Sequence, residues 1–401
     1  MQTSKVESQE IRVIYAWNYN AWGGVQIYFL SIVKNLDSRF KPHFILPSVM
    51  DSQLFKMLTD LGVTYEEIGA EFSSGYMSGI WDKLLLHFKK LSSEYRFYSF
   101  LCRGISANTI LHIDFAPWQS FLLIYLLSSK ARVFITLHNP VDTTQKWRKF
   151  LWRIKFYILS RKKNLHFFAS NRLTKDWLES YLSDKSAILT YSGINLDEIH
   201  AIDKTRDELL HYYRIPSGKI KILSVGQFID RKGRWDFLEA ARIVLRSRKD
   251  VIFVWLTNSQ IARTDLEKID QYGLGGNFIL VDNIKNRADY LGLLNLADIF
   301  VLPSHKEGLP IAILEAMALK KPVISTTVDA IPEAIRQMQT GILVEPKKPE
   351  ELASAILKLL DDASLRNSLA EGAFRYVTQK FDMKSICEII MSSYEESLKS
   401  E

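Results

Sequence analysis

Short apolar segments alternate with helix-patterned segments along most of the chain, and this alternation starts twice. The first start is an apolar segment at residues 11–16, followed by a glycine pair at 23–24 and a helical pattern at 25–36. The second is the segment 219–225, followed by Gly226 and a helical pattern at 235–246. A strand, a glycine loop and a helix open an α/β unit. The sequence therefore predicts the α/β class with two doubly wound, Rossmann-like domains.

The length of 401 residues also exceeds what one ordinary core takes up. We predict a first domain at residues 1–198, a second at 199–380 and a C-terminal helix within 381–401. Ligands of doubly wound sheets bind beyond the carboxyl ends of the strands, so we expect the site in a cleft that the two domains face. The remaining predicted strands are apolar runs at residues 41–47, 110–113, 132–137, 166–169, 187–191, 251–256, 278–281, 299–302, 322–325 and 341–344.

The net charge of +7 is concentrated in one segment. Residues 1–198 carry 24 Lys and Arg against 17 Asp and Glu, whereas residues 199–401 carry 28 of each. Residues 146–163 alone carry eight basic residues and no acid. Because the basic charge is confined to this segment and no nucleic-acid-binding motif is present, nucleic acid is not the expected partner.

Residues 146–163 predict a helix that is both basic and aromatic. Arg148, Lys155 and Lys162 recur every seven residues and therefore share one face. Such a helix can lie on an anionic membrane surface. It can also cover a sheet and present a solvated basic face, and the two roles are compatible. A second face carries apolar side chains, namely Trp147, Leu151, Ile154 and Ile158.

The expected location is cytoplasmic, or peripheral on the inner face of the cell membrane. The first ten residues are polar, and the longest apolar run, 121–127, is far shorter than the ~20 residues that span a bilayer. The two cysteines, Cys102 and Cys387, lie far apart and indicate neither a zinc site nor a disulfide framework.

The segment from Glu307 to Glu315 follows a predicted strand and opens a helix at 310–319. Pro310 suits the first helical position, and the free N–H groups of the first turn with the helix dipole form an anion site. At ~1.5 Å rise per residue the two carboxylates are about one and a half turns apart, so they can reach different parts of one ligand. By themselves, these residues also fit a surface helix with two solvated acids.

The string LPSHKEGLPIAILEAMA at residues 302–318, followed by KPVI at 321–324, resembles the signature of retaining glycosyltransferases of family 4, which have the GT-B fold. The resemblance implies that Glu307 contacts hydroxyls of the donor sugar and that Glu315 binds the nucleotide ribose. It also implies a C-terminal helix that crosses back to the first domain. The residues between the two glutamates are implied to offer backbone N–H groups to the donor: Gly308, Leu309, Pro310 and Ile311.

A second match to this family is SVGQFIDRKG at residues 224–233. Arg231 and Lys232 supply the two cations that a diphosphate leaving group needs, and fixed cations stabilise its developing charge without a metal. As an isolated dipeptide they would more often be part of a surface turn. The family usually has Arg where this chain has Gln227. The residue that usually makes the first contact with the diphosphate is therefore absent.

Two features of the first domain also resemble the family. Gly24 belongs to a glycine loop in which the backbone can approach a phosphate or an acceptor closely. His138 lies in Thr-Leu-His-Asn, similar to the family's Thr-x-His-Asp element, which implies a place near sugar and acceptor. It also fits a loop histidine with a structural hydrogen bond. Asn139 replaces the Asp of this element.

In the second domain, Lys320 replaces a glycine that ends a helix in the family. We therefore expect a different turn at Lys320.

The resemblance implies a retaining glycosyltransferase of the hexosyltransferase type. Its donor would be a UDP- or GDP-sugar and its acceptor a hydroxyl of a saccharide or lipid-linked molecule, in cell-surface polysaccharide biosynthesis. Glu307, His138 and Lys232 are the expected catalytic residues, and no cofactor or metal is expected. Two alternatives share the fold: an epimerase of UDP-sugars and a non-catalytic protein that binds sugar nucleotides.

Overall fold

A computed structural model describes residues 10–17, 24–47, 52–68, 80–141, 145–183, 185–202 and 204–399. Gly23 and nearly all of the polar N-terminal segment lie outside the described residues. The chain forms two compact units, one of residues 1–191 with 384–401 and one of residues 192–383.

The first unit contains a parallel sheet of seven strands in the order β3-β2-β1-β4-β5-β6-β7. Its strands are β1 (Ile11–Trp17), β2 (Phe40–Pro47), β3 (Thr64–Ile68), β4 (Thr109–Asp114), β5 (Arg132–Leu137), β6 (Leu165–Ala169) and β7 (Ile188–Leu189). The helices between them are α1 (Gly24–Lys34), α2 (Ser52–Asp60), α3 (Ile80–Arg103), α4 (Phe121–Leu127), α5 (Lys146–Ser160) and α6 (Arg172–Glu179).

The second unit contains a parallel sheet of six strands in the order β10-β9-β8-β11-β12-β13. Its strands are β8 (Ile220–Val225), β9 (Val251–Leu256), β10 (Phe278–Val281), β11 (Ile299–Leu302), β12 (Val323–Thr326) and β13 (Ile342–Val344). Its helices are α7 (Leu196–His200), α8 (Arg206–Tyr212), α9 (Arg234–Val244), α10 (Arg263–Gln271), α11 (Arg287–Asn295), α12 (Ile311–Ala318), α13 (Ile331–Ala334), α14 (Pro349–Asp361) and α15 (Ala363–Lys380); α16 (Met383–Lys399) ends the chain.

Both sheets change winding direction at one point, between β1 and β4 in the first unit and between β8 and β11 in the second. The strands next to these points are almost wholly buried, which is why they read as short continuous apolar runs in the sequence. The α/β prediction of two doubly wound domains is therefore confirmed. Loops that follow the strands at the switch points are the expected ligand-binding loops.

The boundary between the units lies at Tyr191 rather than at the predicted residue 198. The backbone of Ile194 explains the difference, because its N–H donates to the carbonyl of Phe381 at 2.8 Å and its carbonyl accepts from Met383 at 2.9 Å. Glu198 is also bound to the second unit, 3.1 Å from the Nε atom of Arg287. Residues 192–198 are therefore part of the second unit.

The last helix, α16, packs within the first unit. The hydroxyl of Tyr394 is 2.5 Å from Nδ1 of His112 on β4, and both residues are fully buried. Glu395 forms a salt bridge of 2.9 Å with Arg39, and the carbonyl of Ser397 accepts a hydrogen bond from Arg132. The end of the chain thus contributes to the core of the unit in which the chain begins.

The turn after α12 forms although it lacks a glycine. Lys320 has φ of 54°, in the left-handed region that favours glycine. Its N–H donates to the carbonyl of Met317 and that of Lys321 to the carbonyl of Ala316, which is the Schellman pattern of a helix end. The expectation of a different turn is therefore wrong: the helix end keeps its geometry, and Lys320 adopts the conformation that a glycine would take.

We predict that Lys320→Gly stabilises the chain by up to about 1 kcal/mol, because an L-residue in the left-handed region is strained and glycine is not. The exposed salt bridge of Lys320 with Glu371 contributes little to offset this gain. The free energy of unfolding in urea measures the effect. Lys320→Ala is the control, since it removes the same charge but keeps the strain; an equal stability of the two variants would contradict the prediction.

Candidate functional site

Two loops meet at the switch point of the second unit. One follows β8 and contains Gly226, a 3₁₀ turn at Asp230–Lys232 and Gly233, which precedes α9. The other follows β11 and leads to α12. Gly233 has φ of 71°, and a Cβ atom on it would lie 1.9 Å from the carbonyl oxygen of Pro303. Only glycine allows this approach, so the two loops are held in direct backbone contact.

A largely buried ion pair joins the two loops. Lys232 Nζ donates a hydrogen bond to Glu307 Oε1 at 2.5 Å, and the hydroxyl of Ser304 donates to the same oxygen at 2.7 Å. Arg231 Nη1 lies 3.6 Å from the other oxygen, Oε2, and donates to the carbonyl of Lys306 at 2.9 Å. Glu307 is only 8% exposed. A carboxylate this buried needs a paired cation and further donors, and the site supplies both.

Further hydrogen bonds fix the loop that carries Glu307. Its backbone N–H donates to Asp329 Oδ2 at 2.8 Å, and Asp329 itself has φ of 47°. The N–H of His305 donates to the carbonyl of Arg231 at 2.8 Å, while His305 Nε2 lies 2.5 Å from Asp236 Oδ2 on α9. The carboxylate of Glu307 is thus set in position by three different segments of the second unit.

Glu315, on α12, is 1% exposed and is held by two residues of α11. Arg287 donates to its Oε1 atom, and the hydroxyl of Tyr290 donates to Oε2 at 2.7 Å. Burial lowers the pKa of Arg287, but the carboxylates of Glu315 and Glu198 outweigh burial and raise it above the ordinary value. Burial and Glu315 raise the pKa of Tyr290 as well. Glu315 therefore keeps a matched positive charge and a fixed orientation.

Sequence reasoning missed Arg287 and Tyr290. They lie on α11, and no motif in the sequence marks them. Their spacing of three residues puts both on one face, as it would for any pair at that distance. Only the packing of α11 beside α12 shows that this face meets Glu315.

The start of α12 differs from the prediction in one respect. Pro310 has φ of −72° and ψ of 116°, so it precedes the helix as its N-cap and Ile311 is the first helical residue. Proline has no N–H group. The backbone donors among the four residues of the predicted donor contact are therefore those of Gly308, Leu309 and Ile311.

The predicted site residues of the first unit lie beyond β5 and at the start of α1. Gly24 is exposed and is the first residue of α1. The ring of His138 meets that of Tyr28 edge-on at 5.1 Å, and its carbonyl accepts a hydrogen bond from Asn171 at 2.9 Å. Its Nε2 atom is buried without a hydrogen-bond partner among the described residues. Burial lowers the pKa of His138 to about 4, so the ring is neutral at pH 7.

Among the residues that the structure describes, no three His, Cys, Asp or Glu side chains are grouped so that they could hold a metal ion. None of the described helices combines the length and the apolar character needed to cross a bilayer.

Residues 205–376 match the family model of glycosyl transferases group 1, and all of them lie in the second unit. The chain is 32% identical over 192 residues to an alpha-D-kanosaminyltransferase of Streptomyces kanamyceticus, covering 48% of this chain and 49% of the relative. It is 28% identical over 219 residues to an N,N'-diacetylbacillosaminyl-diphospho-undecaprenol alpha-1,3-N-acetylgalactosaminyltransferase of Campylobacter jejuni, covering 54% and 56%. The chain thus spans about half the length of these curated relatives.

Solved structures extend the similarity of fold to nearly the whole chain. A glycosyltransferase of Rickettsia africae has a TM-score of 0.75 at 20% identity, covering 98% of this chain and 100% of that structure. HepE of Anabaena in complex with UDP-glucose has a TM-score of 0.72 at 15% identity, covering 96% and 100%. At these identities the similarity establishes the fold, which is that of GT-B glycosyltransferases.

We predict that Gly233→Ala lowers the free energy of unfolding by at least ~2 kcal/mol, because the new methyl group meets a backbone oxygen and the residue is left-handed. Urea unfolding of the full chain measures the loss. Gly218→Ala is a matched control, since a Cβ there has no atom within 4 Å. Similar stability of the two alanine variants would show that the loops do not meet at Gly233.

We predict that His138 makes the folded chain less stable as the pH falls from 6.5 towards 4. Its pKa is about 4 in the folded state against an ordinary 6.5, so the unfolded chain binds the proton more tightly. Burial lowers the pKa of His112 and His166 too, so they act in the same direction. The pH dependence of urea unfolding should flatten in His138→Asn but not in His200→Asn, whose ring is exposed; an unchanged profile in His138→Asn would refute the buried, neutral state.

Proposed function

Because residues 205–376 match the family model of glycosyl transferases group 1, we propose that this chain is a glycosyltransferase that uses a UDP- or GDP-sugar and retains the anomeric configuration. The acceptor is a hydroxyl of a saccharide or a lipid-linked molecule, and the process is cell-surface polysaccharide biosynthesis. The Campylobacter relative is named for such a lipid-linked acceptor and a relative in Staphylococcus aureus for capsular polysaccharide biosynthesis. The observation that carries the proposal is the Lys232–Glu307 pair at the switch point.

Lys232 and Arg231 are suited to hold the diphosphate of the donor. An ammonium group has three N–H donors, and Lys232 uses one of them on Glu307, so two remain for phosphate oxygens. The guanidinium of Arg231 is 45% exposed and has five donors, which favours a second phosphate contact. Negative charge grows on the diphosphate as its bond to the sugar breaks, and fixed cations stabilise that charge without reorganising.

Glu315 is suited to hold the ribose. Each of its carboxylate oxygens accepts one hydrogen bond, from Arg287 or from Tyr290, and each has a second lone pair. The ribose hydroxyls can therefore donate to a carboxylate whose orientation is already fixed. We propose Arg287 and Tyr290 as positioning residues that act through Glu315.

The family resemblance and these residue roles together support one reaction. The bond between the anomeric carbon and the diphosphate oxygen breaks, the acceptor oxygen bonds to that carbon on the same face, and the acceptor proton passes to the departing phosphate oxygen. Glu307 orients the sugar through its hydroxyls. We propose that His138 and Gly24 serve the sugar and acceptor, His138 as a neutral imidazole that can donate or accept a hydrogen bond. The mechanism as proposed needs no metal, since Arg231 and Lys232 supply the positive charge.

We propose a cytoplasmic location for this activity. Cys102 and Cys387 are free thiols, which suits a reducing compartment.

Incubation with a panel of UDP- and GDP-sugars and a mixture of saccharide and lipid-linked acceptors tests the function. We expect release of free UDP or GDP with one donor, and a fall of kcat of about 100-fold or more in Glu307→Gln and in Lys232→Met. The double variant Lys232→Met with Glu307→Gln leaves no buried charge unpaired, so its unfolding separates lost chemistry from lost stability.

Matched controls for that experiment are Glu350→Gln and Lys358→Met, which make the same charge changes at exposed positions of α14. Isomerisation of a UDP-sugar without release of nucleotide would instead identify an epimerase. Tight nucleotide binding with no turnover of any donor would identify a non-catalytic binding protein.

A further inference from the structure

Helix α5 has two apolar faces, and only one of them is buried. Trp152, Phe156 and Leu159 are buried in the core of the first unit. The opposite face exposes six large apolar side chains at intervals of three or four residues, which places them along one stripe of the helix. This outer stripe consists of Trp147, Phe150, Leu151, Ile154, Tyr157 and Ile158.

The exposure of the outer stripe is large. Trp147 is 59% and Phe150 is 63% exposed. The neighbouring helix α4 exposes Leu122 and Leu126 as well. Large apolar side chains that occur singly on a surface need no explanation, whereas a contiguous stripe marks a surface that meets a partner.

Basic residues flank the outer stripe on both sides. At 100° per residue, Lys146 and Arg153 lie along one edge and Arg148 and Lys155 along the other. The guanidinium of Arg148 lies 5.3 Å from the ring of Trp147, and that of Arg161 lies 4.3 Å from the ring of Tyr157. These two arginines are thus held at the rim of the apolar surface.

Packing beneath the helix fixes this arrangement. Lys155 Nζ donates to the carbonyl of Trp118 at 2.7 Å, and Lys162 Nζ lies 3.6 Å from the ring of Tyr125 on α4. The rings of Trp118 and Trp152 pack at 5.5 Å. Because α5 is anchored in this way, its outer stripe is presented as a rigid surface and needs no folding step to form.

We propose that the outer stripe of α5 docks the first unit onto a lipid bilayer with an anionic surface. A helix with an apolar stripe, aromatic residues and flanking cations lies in the membrane interface, with its apolar side chains ~5–10 Å deep and its cations at the headgroups. The helix of 15 residues is about 22 Å long at ~1.5 Å per residue, so it lies along the surface.

The charge of this segment favours an anionic bilayer over two other partners, a second copy of the chain and a nucleic acid. A second copy of the chain would bring eight basic residues of 146–163, without an acid, against the same eight. A nucleic acid would place its charged phosphates against the outer stripe, and the six large apolar side chains of the stripe form no favourable contacts with phosphate. An anionic bilayer offers negative headgroups to the rim and hydrocarbon to the stripe. This docking is independent of the proposed transfer reaction.

Flotation of the full-length protein with vesicles tests the proposal. The probes are vesicles of phosphatidylglycerol and phosphatidylcholine in equal parts, and vesicles of phosphatidylcholine alone. We expect binding to the anionic vesicles that is at least tenfold tighter than to the neutral ones. One variant, Arg148→Gln with Arg153→Gln and Arg161→Gln, should lose about fivefold in binding per residue. A second, Phe150→Ser with Ile154→Ser, should lose at least tenfold at unchanged net charge.

The control for charge is Lys347→Gln with Lys348→Gln and Arg375→Gln, which removes three exposed charges from the second unit and should leave binding unchanged. An equal loss in this control would show unspecific attraction and overturn the assignment to α5. Unchanged binding in Phe150→Ser with Ile154→Ser would do the same. A dimer in sedimentation that this variant dissociates, without vesicle binding by the original chain, would identify a second copy as the partner.

Discussion

The buried ion pair between Lys232 and Glu307 is the contact on which the site of the second unit depends. It joins the loop after β8 to the loop after β11, the two strands at which the sheet changes direction. A buried carboxylate without its cation would cost several kcal/mol, so the pair constrains both loops at once. The close approach at Gly233, the Asp329 contact and the His305–Asp236 pair all support this same junction. The charged side chains of Lys232 and Glu307 therefore hold the two loops together and also take part in the proposed chemistry.

The fold was predictable because its strands are short and buried. Runs such as 251–256 and 299–302 are apolar throughout, and the structure has strands at the same residues. Elements with a mixed pattern were not recovered, among them β3, with the exposed Thr64, Glu66 and Glu67, and α10, which has no buried residue. The sequence of β3 does not distinguish it from a polar loop, since pairing with a neighbouring strand decides its conformation. Helix α10 buries no side chain that would mark a core-facing side.

The site was predictable in part. Two strings with a family resemblance mark four site residues, namely Glu307, Glu315, Arg231 and Lys232. The structure brings Glu307 and Lys232 together in one ion pair. Arg287 and Tyr290 could not be found, because contacts between α11 and α12 depend on tertiary packing. The same limit applies to α5: its sequence has apolar residues on two faces, and only the packed structure shows that the face with Trp147 remains exposed.

We propose that the diphosphate of a nucleotide sugar binds to the loops joined by Lys232 and Glu307 and to the start of α12. Hydrogen exchange of backbone amides with and without UDP or GDP reports this binding residue by residue. We expect one of these nucleotides to protect residues 226–233 and the amides of Gly308, Leu309 and Ile311. No change is expected at α10, on the outside of the second unit. Absence of protection at the start of α12 while nucleotide is bound would contradict this proposal.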